Sequence, residues 1–106
     1  MNFDSILEKL KQNQGFTKNK EVQDFLGFRS ESGFYFMRNG KGALKEEVVA
    51  KIMKGTGLPA PVIVGAWEAE NGKNEEVRKS WGEWLRNGVA IAAITGAFTN
   101  NADSRA

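Results

Sequence analysis

Apolar residues along this chain recur at the spacing of one helical face, and glycine or proline interrupts each run before it grows long. Phe3, Ile6, Leu7 and Leu10 fall at i, i+3, i+4 and i+7, one stripe of a helix predicted over about Asp4 to Asn13. Asn2 is placed to cap it, Asp4 and Glu8 suit the positive end of its dipole, and Gly15 ends it. No segment carries a convincing period-two alternation, so strands find no support. The pattern predicts an all-α protein, a compact bundle of about five to six helices.

A second helix, about Lys18 to Leu26, takes Thr17 or Asn19 as its cap, buries Val22, Phe25 and Leu26, and stops at Gly27. Ser30 is the expected N-cap of a third, about Glu31 to Asn39, with Phe34 and Met37 inward. Gly33 inside that helix costs about 1 kcal/mol relative to Ala, which points to close approach of another backbone, that of the preceding helix or of DNA. Gly40 follows where a left-handed residue closes a helix. Helix four, about Lys45 to Lys54, presents Val48, Val49, Ile52 and Met53, and Gly55 and Gly57 end it. Pro59 or Pro61 opens helix five, whose stripe is Val62, Ile63, Ala66 and Trp67. Asn71-Gly72 breaks it. Asn74 then caps helix six, about Glu75 to Arg86, with Val77, Trp81, Trp84 and Leu85 on one face. Val89–Phe98, the most apolar run, is read as a further helix with roughly half the length of a membrane span.

Two absences bound the chemistry. The chain has no cysteine and no histidine, which excludes Cys/His zinc sites, thiol nucleophiles, serine–histidine triads and imidazole acid–base catalysis. Gly40-Lys41-Gly42 lacks the GxxxxGK[ST] spacing of a phosphate-binding loop. Glu46-Glu47 and Glu75-Glu76 sit at helix starts, where acids stabilise the dipole. No enzyme activity, cofactor, metal or small-molecule substrate is expected. The lack of cysteine, and of a basic segment leading into an apolar core near the N-terminus, predicts a cytoplasmic location. Residues 1–44 carry seven Lys/Arg against five Asp/Glu and residues 45–55 three against two, whereas residues 56–88 carry four against five. The positive excess accompanies the second and third helices, as a modest nucleic-acid footprint requires.

Residues 22–44, VQDFLGFRSESGFYFMRNGKGAL, carry the most specific content. Leu26-Gly27-Phe28, the capping Ser30, Glu31-Ser32-Gly33-Phe34, Met37 and Asn39-Gly40 resemble the helix-turn-helix of the lambda-repressor-like, Xre-type regulators of phages and bacteria. The exit Gly42-Ala43-Leu44 is similar too. The later chain, a Leu-Pro helix entry and then an acidic helix ending in Trp, resembles small prophage regulators of that group. The resemblance spans roughly residues 3–70. The Phe28-Arg29-Ser30 turn runs one residue longer than the commonest family form, and Tyr35-Phe36 is unusual for a helix that faces a groove.

The resemblance implies a helix-turn-helix core over residues 1–70; the apolar runs beyond it predict a C-terminal helical extension of the same domain over 71–98, and the polar end predicts a flexible tail over 99–106. The resemblance also implies a third helix with its N-terminal end in the major groove, Glu31 and Ser32 on base edges and Tyr35 next along that face. Asn39 and Lys41 at the far end are the implied phosphate ligands, with Arg29 and Arg38. Asn19 and Lys20 mark an anion site at the start of helix two. Domains of this size read DNA as dimers, and Trp81, Trp84, Leu85, Ile91 and Ile94 are the candidate dimer contacts. The expectation is sequence-specific binding of double-stranded DNA by a small homodimeric transcriptional regulator, a repressor of phage or prophage type.

Two other classes compete. A helical protein-interaction module, an antitoxin or anti-regulator, would keep the fold without binding DNA, and Glu31 and the small net charge of +2 favour it. A peripheral membrane protein would use Val89–Phe98 as an anchor. Only Arg86 lies close by as a base, whereas membrane-surface helices carry a cationic face, so a membrane partner is not expected.

Overall fold

The computed structural model describes residues 2–87, which form six α-helices and no strand. They are α1 (Phe3–Gln14), α2 (Asn19–Leu26), α3 (Glu31–Arg38), α4 (Glu46–Thr56), α5 (Ala60–Asn71) and α6 (Glu75–Arg86). Val89–Phe98 with Ile91 and Ile94, and the tail over 99–106, lie outside the described residues.

α1 starts where its sequence dictates. The Asn2 side chain accepts from the Ser5 amide at 2.7 Å and the Asn2 amide donates to Ser5 Oγ at 3.2 Å, a reciprocal cap of about 1 kcal/mol. Its stripe of Phe3, Ile6, Leu7 and Leu10 is buried against α4 and α5. α5 stands at the centre, in contact with α1, α4 and α6, and Val62, Ile63, Ala66 and Trp67 are buried along it. Glu70 near its end accepts from the Phe3 amide at 2.7 Å, which ties the end of α5 to the start of α1.

Gly55 does not end α4. The helix runs on to Thr56 and closes at Gly57, while Gly55 is buried inside it. A Cβ there would collide with the Leu10 side chain and stand 3.3 Å from the Phe25 ring. The glycine lets α1 and α4 approach. Met53, expected inward, is 38% exposed because Val48, Val49 and Ile52 already fill the buried side of α4.

α6 rests chiefly on α5. Gly65 of α5 makes room for Trp81, whose ring lies 2.6 Å from where a Cβ would stand. Trp84 meets Trp81 edge-on at a centroid distance of 5.6 Å. Leu85 is buried in its own core, so it is not free to face a second copy. Val77, expected on the buried face, is 45% exposed. Among the described residues no single helix is long and apolar enough to cross a membrane.

Candidate nucleic-acid interface

α2 and α3, eight residues each, are joined by Gly27, Phe28, Arg29 and Ser30. Gly27 ends α2, and the Phe28 amide bonds back to the Gln23 carbonyl at 3.1 Å. Gln23 is 3% exposed and donates from Nε2 to the Phe28 carbonyl at 3.3 Å. Ser30 Oγ accepts from the Gly33 amide at 3.1 Å and caps α3 as its sequence predicts. A Cβ on Gly33 would stand 3.2 Å from that hydroxyl and 3.7 Å from the Phe28 ring. The neighbour that Gly33 accommodates is therefore its own cap and turn, not another helix.

The roll of α3 follows from what it buries. Phe34 and Met37 face the core, the Phe34 ring meets Phe28 edge-on at 5.7 Å, and the Met37 carbonyl accepts from Trp67 Nε1 at 2.7 Å. With those two inward, Ser32, Tyr35, Phe36 and Asn39 occupy the opposite face at i, i+3, i+4 and i+7, and all four are exposed. Arg29, Lys41, Lys45 and Lys51 are exposed on the adjoining turn, loop and α4. None of the four joins an ion pair among the described residues. Glu31, Glu46 and Glu47 are exposed acids on α3 and α4.

The expected site residues divide into groups. Asn19, Lys20, Glu31 and Tyr35 line one cleft of about 110 Å³ with Gln23 and Phe34. Ser32 is exposed with its hydroxyl 3.4 Å from that of Ser30. Lys20 also pairs with Asp24 at 3.2 Å. Asn39 and Lys41 lie at the other end of α3, and Lys41 borders a separate cleft with Trp67, Asn71 and Lys73. Gly40 reaches φ 80° there, and the Asn71 side chain sits 2.6 Å from where a Cβ would stand. Arg38, expected on phosphate, is held by its own chain. It pairs with Asp4 at 2.9 Å with its side chain 21% exposed, and it lies 5.5 Å from the Phe34 centroid and 5.8 Å from that of Tyr35. It clamps α3 to the start of α1.

The start of α2 also departs from expectation. Lys18 stands at the N-cap position without a side-chain bond, and Glu21 serves instead. Its Oε1 accepts from the Thr17 and Lys18 amides, each at 3.1 Å, and from Thr17 Oγ1 at 3.3 Å. These bonds, the Thr17 amide foremost, hold the Glu21 carboxyl below its ordinary pKa. A carboxylate of the chain itself thus stands at the place expected to receive an anion. Because the folded pKa is lowered, this contribution is full above the unfolded carboxylate pKa and fades as pH falls through the folded value. Glu21→Gln is expected to lose less thermal stability than the wild type between neutral pH and about pH 3, read as melting temperature against pH. An equal loss would remove Glu21 from the acid response.

No protein-family model, curated protein or solved structure matches the chain. The chemistry of this surface rests on its own residues. Three of them were not among the expected site residues. Phe36, 52% exposed, completes the outward stripe, and its place in the unbroken apolar run from Phe34 to Met37 left its side open. Lys45 and Lys51 reach the surface only through the packing of α4 against α2, which no local pattern announces.

Proposed function

We propose that this surface binds double-stranded DNA sequence-specifically, with α2 and α3 acting as a helix-turn-helix and α3 lying in the major groove. The carrying observation is the stripe of Ser32, Tyr35, Phe36 and Asn39, flanked by four cations that join no ion pair among the described residues. Polar and aromatic tips at the centre suit base edges, and a cationic rim suits phosphates. Glu31 accepts from a cytosine amino group and repels phosphate, so it adds selectivity at some cost in affinity.

The resemblance of residues 22–44 to phage-type regulators supports a small homodimeric transcriptional repressor. Trp81, Trp84 and the exposed Val77 of α6 supply the described part of the dimer surface.

Selection from a randomised duplex library, followed by anisotropy at about 50 and about 200 mM salt, tests this reading. The expected result is a palindromic motif with half-sites about 10 bp apart, bound more weakly at the higher salt. Lys41→Ala is expected to weaken binding across sequences and to lower the salt slope by about 0.9, the share of one phosphate. No motif and no salt slope would end the DNA reading and leave a protein-interaction module.

A further inference from the structure

We infer that Phe36 reads the C5-methyl group of thymine, so that the preferred half-site carries thymine at the position facing this ring. The inference rests on the DNA reading above and adds the chemistry of one of its contacts. Phe36 lies on the outermost side of α3, between Ser32 and Asn39, and is 52% exposed. Its backbone is anchored. The Phe36 carbonyl accepts from the Lys41 amide at 2.9 Å and the Gly42 amide at 3.0 Å, so the loop after α3 fixes where the ring starts.

Tyr35 is less free to take this role. Its ring tilts onto Phe34 at 5.7 Å and lies beside the Arg38 guanidinium. That leaves Phe36 as the most exposed apolar side chain of the helix face.

Size and charge decide what covers it. The exposed half of the Phe36 ring is about 100 Å², and the other large apolar residues lining the groove beside it, Leu26, Phe28, Met37 and Val48, are buried or half-buried, so the apolar surface on offer is small. The surroundings carry a positive excess, with Lys45 and Lys51 against Glu47 in the same groove and Arg29 and Lys41 on the adjoining turn and loop. A small apolar group carried on a polyanion fits both facts. In the major groove that group is the methyl of thymine, the one apolar feature among the base edges.

The probe is the selected duplex with every thymine of one half-site replaced by uracil, which removes the methyl and keeps the base pairing. Wild-type protein is expected to bind the uracil duplex about fourfold more weakly for each methyl that the ring covers. Phe36→Ala is expected to bind the two duplexes equally. Equal binding by the wild type, or an equal loss in Phe36→Ala, would overturn the role of Phe36 and leave the DNA reading intact. Failure to select any motif would overturn both. Equal binding by the wild type overturns the inference without any variant, so it stays open to refutation even if Phe36→Ala folds poorly.

Discussion

Phe34→Ala is expected to lower the free energy of unfolding by about 3–5 kcal/mol, where a domain of this kind has about 5–15 kcal/mol in total. The ring is 2% exposed, meets Phe28 edge-on and carries the Arg38 guanidinium above it. Truncation leaves a cavity beneath α3 and removes the surface on which the clamp to Asp4 rests. Phe36→Ala, two residues on, is expected to cost about 1 kcal/mol or less, because half of its ring already faces solvent. Urea denaturation followed by far-UV circular dichroism separates the two. Similar losses for both variants would mean that α3 is rolled differently, and the outward stripe proposed to meet DNA would have to be redrawn.

That pair of phenylalanines shows where sequence reading reaches its limit. The helices were legible because their causes are local: caps at Asn2, Ser30 and Asn74, each bonding an amide within one turn, and apolar positions at helical spacing. The inward pair Phe34 and Met37 was legible for the same reason. The side taken by Phe36 was not, since Phe34 to Met37 is an unbroken apolar run. Gly55 reads as a stop in sequence, yet its role is set by Leu10 and Phe25 on other helices. Arg38 reads as a free cation because its partner Asp4 lies 34 residues earlier. At α2 the expected caps were Thr17 or Asn19, while Glu21, one turn into the helix, supplied the bonds. Ser32, Tyr35 and Asn39 were thus readable from the period of α3, while Lys45 and Lys51 required the packing of α4.

Trp67→Ala is expected to cost about 3–5 kcal/mol, and Trp67→Phe separates what its ring and its N–H contribute. Trp67 is 8% exposed, and its Nε1 bonds the Met37 carbonyl at 2.7 Å. That carbonyl also accepts from the Gly40 amide at 3.3 Å, so phenylalanine does not leave it without a partner. The net loss of the bond is about 1 kcal/mol, and the smaller ring adds an unfilled volume, giving about 2 kcal/mol in all. The loss falls at the end of α3, where the following loop returns two amides to Phe36. In Trp67→Phe the Lys41 and Gly42 amides are therefore expected to exchange hydrogen faster relative to the amides of α1. Duplex affinity is expected to fall at protein stabilities where the chain is still folded, because Lys41 in that loop and Phe36, whose carbonyl the loop amides hold, lose their common anchor. A uniform rise in exchange across all helices, with affinity unchanged, would show that Trp67 supports the core alone and that the α3 exit is held by its backbone bonds.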